Sequence, residues 1–214
     1  MGLIEETNEK SDDQFIKEHL RPGDPSWSSW THPNLHTKYT IELIGSETLT
    51  PTDFEACFDL IEETSRPDYE SSSIGWKPAR KLSEMKSPGL RYILVKDSTG
   101  MIHGFTSLMP THEVGEPVLY CYEIHLKPMM RRYVFTGLGT LLLSFLDRVA
   151  AHTPPIEKIM LTCFLRNQKA FSFYKALGYT EDPSSPAPKM LRNGRVVEPD
   201  YVILSKVVAR RANE

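Results

Sequence analysis

The residues of this chain best able to do chemistry lie close together. Val118 to Leu126 reads Val-Leu-Tyr-Cys-Tyr-Glu-Ile-His-Leu, β-branched, aromatic or apolar except at Glu123 and His125. A strand is expected there, with alternation putting Glu123 and His125 on one face. A carboxylate on a mostly buried strand is costly unless something uses it. Downstream come Arg131 and Arg132, then Thr136-Gly137-Leu138-Gly139-Thr140, after which Leu138, Leu141, Leu142, Phe145 and Val149 recur at helical spacing. The first amides of that helix have no partners within it, and its dipole is positive at that end. Glycines let the backbone approach a ligand closely, so the turn suits a pyrophosphate. A base beside a phosphate-binding turn points to an acyl-CoA site.

Each of these residues also has a plainer use. Glu123 could be the buried ion-pair partner of Arg91 or Lys127. His125 could serve as the base in its place, or be a satisfied structural histidine. Cys121 has no ordered partner histidine and reads as core. Gly137-Leu138-Gly139 could be a tight turn or a dinucleotide loop, although the third glycine and the Walker Lys-Ser/Thr are both absent. Strict alternation sends Tyr122 and Glu123 to opposite faces, so both can line one site only if the strand bulges between them.

The elements that must hold this stretch follow from pattern and punctuation. Lys38 to Ile44 alternates like a first strand. Thr50-Pro51 opens a helix, with Thr50 as N-cap and Phe54, Cys57, Phe58 and Ile61 on one face, and Arg66-Pro67 is expected to end it. Asp68 to Trp76 reads as an aromatic, polar loop over the site. Pro78 to Met85 resumes a helix. Tyr92 to Lys96 and Ile102 to Met109 form a hairpin about Asp97-Ser-Thr-Gly100, beside the central strand. After the glycine helix, Lys158 to Phe164 is a buried strand. Asn167 to Leu177 is a helix ended by Gly178. A hairpin-like Arg192 to Arg195 precedes a last strand from Tyr201 to Ser205.

The 214 residues suit one α/β domain, expected over 37–207, with an N-terminal extension over 1–36 and a tail over 208–214. Phe15, Trp27 and Trp30 in the extension look exposed; the tryptophans either anchor it to the domain or sit in a loose tail. Three well-separated cysteines in apolar settings suit reduced thiols of the cytoplasm and nucleus. No metal-ligand spacing occurs among them or the seven histidines. A net charge of −3 argues against direct nucleic-acid binding and leaves room for a cationic partner. No run reaches the length needed to cross a bilayer, and no signal-peptide blocks open the chain.

Taken together, the strand, the glycine turn and the motif Asn167, Ala170, Phe173-Tyr174, Gly178-Tyr179 resemble the GNAT superfamily of acetyl-CoA-dependent N-acetyltransferases. That likeness implies a mixed, mostly antiparallel sheet with helices on both faces. The phosphate motif departs from the family's: Val134 stands where an Arg or Gln is usual and Arg131-Arg132 lie three residues upstream, which implies a longer loop. Gly75-Trp76-Lys77, Leu119 to Glu123, Met160 to Thr162 and Ser184-Ser185-Pro186 resemble the histone-specific N-terminal acetyltransferases within the superfamily. The resemblance implies Glu123 as catalytic carboxylate with Tyr122 beside it; Tyr174, or a water, would protonate the leaving thiolate, although a tyrosine in an amphipathic helix also reads as core. Ile124, His125 and Leu126 would face the pantetheine, and Arg131, Arg132, Thr136, Gly137, Leu138, Gly139, Thr140 and Asn167 would bind the rest of acetyl-CoA. Tyr69, Trp76, Tyr120, Tyr122, Thr162, Ser184 and Tyr201 would meet a histone tail peptide, with Glu113 or Glu116 replacing a family acid aligned with Thr111. A monomer without metal is expected.

Overall fold

The computed structural model describes residues 2–20, 25–131, 137–190 and 192–209. In chain order its elements are α1 (Leu3–Asn8), α2 (Asp12–Phe15) running into a π turn (Ile16–Leu20), a 3-10 turn (Pro25–Ser28), β1 (Ser29–Thr31), β2 (Lys38–Gly45), α3 (Pro51–Glu70) and α4 (Pro78–Glu84). There follow β3 (Arg91–Lys96), β4 (Ile102–Glu113), β5 (Glu116–Leu126), α5 (Pro128–Arg131) and α6 (Leu138–Ala151). The chain continues with β6 (Lys158–Phe164), α7 (Gln168–Ala176), β7 (Thr180–Glu181), β8 (Lys189–Met190), β9 (Val196–Val197) and β10 (Tyr201–Val207).

One eight-stranded sheet takes the order β1-β2-β3-β4-β5-β6-β10-β7, and β8 and β9 form a separate hairpin. The pairing of β5 with β6 is parallel, as a helical crossover through α6 requires, and the other pairings are antiparallel. That parallel pairing runs only from Val118↔Lys158 to Cys121↔Leu161, although both strands continue beyond it. The two therefore splay, leaving a wedge between Tyr122–Leu126 and Thr162–Phe164.

Two cores sandwich the sheet. Leu142, Phe145, Leu146 and Val149 of α6 pack on Leu119, Cys121, Ile93 and Leu108. Cys57, Leu60 and Ile61 of α3 pack on Tyr92, Leu94 and Phe105 of the opposite face. The N-terminal segment joins the α6 side. Phe15, expected to be exposed, is fully buried, with the Arg91 guanidinium 4.0 Å over its ring. Asp12 accepts from the Gly45 amide at 2.9 Å and Arg91 donates to the Lys10 carbonyl at 2.6 Å. Trp27 sits edge-on to Phe145, and Trp30 packs on Tyr39.

The Thr50 cap forms as expected, its hydroxyl accepting from the Asp53 amide at 3.1 Å. The end expected at Arg66-Pro67 does not: α3 runs through Pro67 to Glu70. Proline removes one rung of the helix ladder, but Arg66 bridges Glu62 at 2.9 Å and Glu70 at 2.7 Å on either side of it. Tyr69 is also held between Phe164 and Trp76, at ring distances of 4.8 and 5.5 Å. The loop over the site thus begins at Ser71, not Asp68.

Candidate active site

The decisive local feature is a bulge in β5. Ser107 faces Glu123 and Leu108 faces Cys121, so Tyr122 has no partner on β4. One extra residue reverses the alternation. Before the bulge, Leu119 and Cys121 point to the α6 core; after it, Ile124 and Leu126 do. Tyr120, Tyr122, Glu123 and His125 consequently share the α3–α4 side, the condition that strict alternation forbade.

These side chains open onto a cavity of about 890 Å³ that continues through the β5–β6 wedge to α6 and α7. Of the expected residues, Tyr69, Trp76, Tyr120, Tyr122, Glu123, Ile124, His125, Leu126, Gly137, Gly139, Thr140, Thr162, Asn167 and Tyr174 line it. Three do not. The Leu138 side chain is fully buried in the α6 core, so its amide alone can serve a ligand. Ser184 spends both amide and hydroxyl on Asp182, at 2.9 and 2.6 Å. Tyr201 begins β10 opposite Phe164, with Asp200 before it bonded to Ser73 of the loop over the site. Arg132 and Thr136 lie outside the described residues, as does the Arg131 side chain.

Glu123 is 8% exposed, and its ion-pair partner is neither Arg91 nor Lys127. Lys81 of α4 donates to its Oε1 at 2.7 Å, and His125 Nε2 lies 2.5 Å from its Oε2. Burial alone would push the carboxyl up; the Lys81 ammonium and the His125 hydrogen bond overcome this and hold it at about 2. Lys81 is equally buried. It also pairs with Glu84 at 2.5 Å and lies 5.2 Å over the Tyr69 ring. Thr64 completes the network, its hydroxyl 2.6 Å from both the Leu60 carbonyl and His125 Nδ1. The carbonyl can only accept, so the hydroxyl proton goes there and Nδ1 donates to Thr64. Both ring nitrogens of His125 are thus engaged, one by Thr64 and the other by Glu123.

Beyond Glu123 stands an aromatic wall. Tyr120 and Tyr122 pack at 5.2 Å, and the Tyr120 hydroxyl pairs with Thr162 at 2.7 Å. Burial pushes that phenol up to about 12, against the pull of Thr162. Burial likewise pushes Tyr174 well up. Of the two acids expected near the substrate, Glu113 lines the cavity, whereas Glu116 pairs with Lys158 at 2.7 Å away from it.

At the other end Gly137 caps α6 with φ 75°, a left-handed conformation that favours glycine. The amides of residues 138–140 have no partner within the helix, because its first bond runs from Leu141 to Gly137. A Cβ on Gly139 would come within 3.1 Å of Phe173, so glycine allows the close approach of α6 and α7. Asn167 caps α7 by accepting from Ala170 at 3.1 Å and donates to Asp68 at 3.3 Å. Free amides, a glycine approach and splayed strands fit an extended diphosphate cosubstrate reaching Glu123. Among the described residues no cluster of three or more His, Cys, Asp or Glu could hold a metal ion.

A strand-borne carboxylate at a splayed parallel pair, with a glycine-capped helix behind it, defines an acyltransferase class, and the comparisons agree. The model of the acetyltransferase (GNAT) family matches residues 53–179, and the chain belongs to that family. Among individual proteins, N-alpha-acetyltransferase 40 of Saccharomyces cerevisiae is 37% identical over 158 residues, covering 63% of this chain and 54% of that protein. The chain thus spans about half the length of this relative. Solved structures share the fold at low identity. The ribosomal-protein-S18-alanine N-acetyltransferase of Escherichia coli has a TM-score of 0.50 at 19% identity, over 82% of this chain and 97% of that one. NAA60 of Arabidopsis thaliana, in complex with a bisubstrate analogue, has 0.55 at 11%, over 79% and 100%.

Proposed function

We propose that this chain transfers acetyl from acetyl-CoA to the free N-terminal amine of histone tails beginning Ser-Gly-Arg-Gly, those of histone four and histone two-A. The observation that carries the reading is the ionised Glu123 at the floor of a tyrosine- and tryptophan-walled cavity. The 37% identity to an N-alpha-acetyltransferase supports an α-amine as acceptor.

Acetyl-CoA supplies an activated thioester, and the chain's residues do the positioning. The amides of Leu138, Gly139 and Thr140 and the side chain of Asn167 hold the cosubstrate's polar end. The β5 segment Ile124 to Leu126, beyond the pairing of β5 with β6, guides its arm toward Glu123. Tyr69, Trp76, Tyr120 and Tyr122 enclose the first peptide residues, and Glu113 meets the substrate arginine. A carboxylate held at about 2 cannot strip a resting ammonium. An α-amine has a pKa of about 8, however, so roughly a tenth is already neutral near pH 7. Glu123 accepts a hydrogen bond from that neutral amine and takes its proton as the C–N bond forms and acidifies the nitrogen. Tyr174, reaching the wedge from α7, returns a proton to the departing thiolate.

The test offers acetyl-CoA with a Ser-Gly-Arg-Gly peptide, the same peptide blocked at its amine, and free polyamines. Acetylation of the unblocked peptide alone is expected. Transfer to a lysine of the blocked peptide, or to polyamine, assigns another amine; no transfer despite CoA binding leaves a cosubstrate-binding scaffold.

A further inference from the structure

The group that sequence reasoning missed is Lys81, and its surroundings are asymmetric. A buried ammonium needs a counter-charge. Lys81 has two, Glu84 at 2.5 Å and Glu123 at 2.7 Å. Removing Glu123 would leave Lys81 paired with Glu84. Removing Lys81 would leave Glu123, 8% exposed, with only the His125 ring bonded to its carboxylate among the described residues. The dependence therefore runs from Glu123 to Lys81 and not the other way. Lys81 also lines the same cavity as Glu123, so the pair is not sealed in a core where hydrocarbon would serve stability as well.

We propose that Lys81 is a positioning residue of the transfer reaction: its ammonium fixes the Glu123 carboxylate in one place and in the ionised form, ready to accept a hydrogen bond from the incoming amine. This rests on the acetyl-transfer reading above. The groups facing Glu123 are Lys81 and Glu84 from α4, His125 from its own strand, Tyr69 from α3 and Tyr92 from β3. Lys81 is the cation among them that an uncharged isostere can replace without touching the strand. With it gone, burial dominates and the Glu123 carboxyl titrates upward. The carboxylate is then lost as pH falls through that higher value, and turnover with it.

The experiment measures kcat against pH, from 5 to 9, at saturating acetyl-CoA and peptide, for the wild type, Lys81→Met and Lys81→Arg, with CoA affinity by calorimetry as the check on folding. The wild type is expected to show no carboxylate limb in this range. Lys81→Met should bind CoA normally and acquire an acid limb inside the measured range, displaced upward by roughly 3–5 pH units as for a fully buried carboxyl, and Lys81→Arg should remove that limb. A Met-to-wild-type ratio of kcat that does not change with pH, whatever its height, overturns the proposal, because a merely structural lysine lowers kcat by the same factor at every pH. Should the Met variant fail to bind CoA, the wild type alone decides. A wild-type profile that follows the substrate amine alone supports the proposal, and a further acid limb between pH 5 and 7 that is absent in Glu123→Gln overturns it. A wild type inactive on every amine overturns the functional reading and this inference with it. An active wild type beside a pH-independent Met-to-wild-type ratio overturns this inference alone.

Discussion

Two buried titratable groups on opposite sides of the sheet, His19 and Glu123, are treated in opposite ways. Toward α6, the sheet meets hydrocarbon, with Leu142, Leu146 and Val149 fully buried. A titratable group on that side, His19, is kept from charging: its Nδ1 lies 3.1 Å from the His152 carbonyl and 3.0 Å from the Thr153 hydroxyl, the Lys10 ammonium stands 3.2 Å from its Nε2, and burial pulls its pKa down. Toward α3 and α4, Glu123 is just as buried, yet it is supplied with Lys81 and a donating His125 and kept charged. Burial alone neutralises an acid or base; burial with a placed counter-charge preserves it for use. The single unpaired residue Tyr122 decides which treatment Glu123 receives.

Breaking the charged side should have the largest effect. Glu123→Gln keeps the shape and leaves Lys81 its Glu84 partner. Turnover is therefore expected to fall about 100- to 10,000-fold while CoA affinity by calorimetry stays within experimental error. Turnover near the wild-type level would remove Glu123 from the reaction. On the hydrocarbon side, Leu146→Ala should leave the chemistry of bound substrate intact and cost about 2–5 kcal/mol of stability, read as a lower midpoint in denaturant. A loss of kcat without that shift would mean the faces are not separable.

How legible this was depended on how local the cause is. Thr50-Pro51 and Asn167 to Gly178 were readable because a cap and a stop are written within a few residues. Pro67 misled because the forces that carry α3 past it come from Glu62, Glu70 and the rings flanking Tyr69, only part of which is local. Glu123 stood out as a charge in an apolar strand, and the need for a bulge followed from alternation. Which residue bulged depended on β4. Lys81 was invisible: a lysine three places before a glutamate in a short helix reads as a solvated pair, and its second partner is 42 residues away. Ser184 and Tyr201, carried over by resemblance, lie outside the lining of the cavity, although Asp200 beside Tyr201 bonds Ser73 of the loop over the site.

Asn167 joins the two sides, capping α7 while reaching Asp68 of α3. Asn167→Ala removes the cap, and about 1 kcal/mol of stability is expected to go with it. The same change should weaken CoA binding, which calorimetry would read directly; a stability loss with unchanged affinity would confine Asn167 to the fold.

The smallest expected effect concerns His19, where the neutral treatment of a buried base can be checked by acid. Because its folded pKa lies below the ordinary value of about 6.5, the unfolded segment binds a proton more readily than the docked one. Its stabilising docking is therefore complete above pH 6.5 and is lost progressively as pH falls from there toward the folded value. Lys10 and Arg91 oppose a charge on the ring as well, while Glu18 favours one, so the loss is modest. Hydrogen exchange of residues 3–20 should quicken between pH 7 and 5 beyond the chemical pH dependence of exchange, and His19→Gln, which cannot titrate, should abolish the excess. If the excess survives in that variant, the acid-sensitive contact is not the histidine, and the contrast between a face that neutralises and a face that preserves charge rests on Glu123 alone.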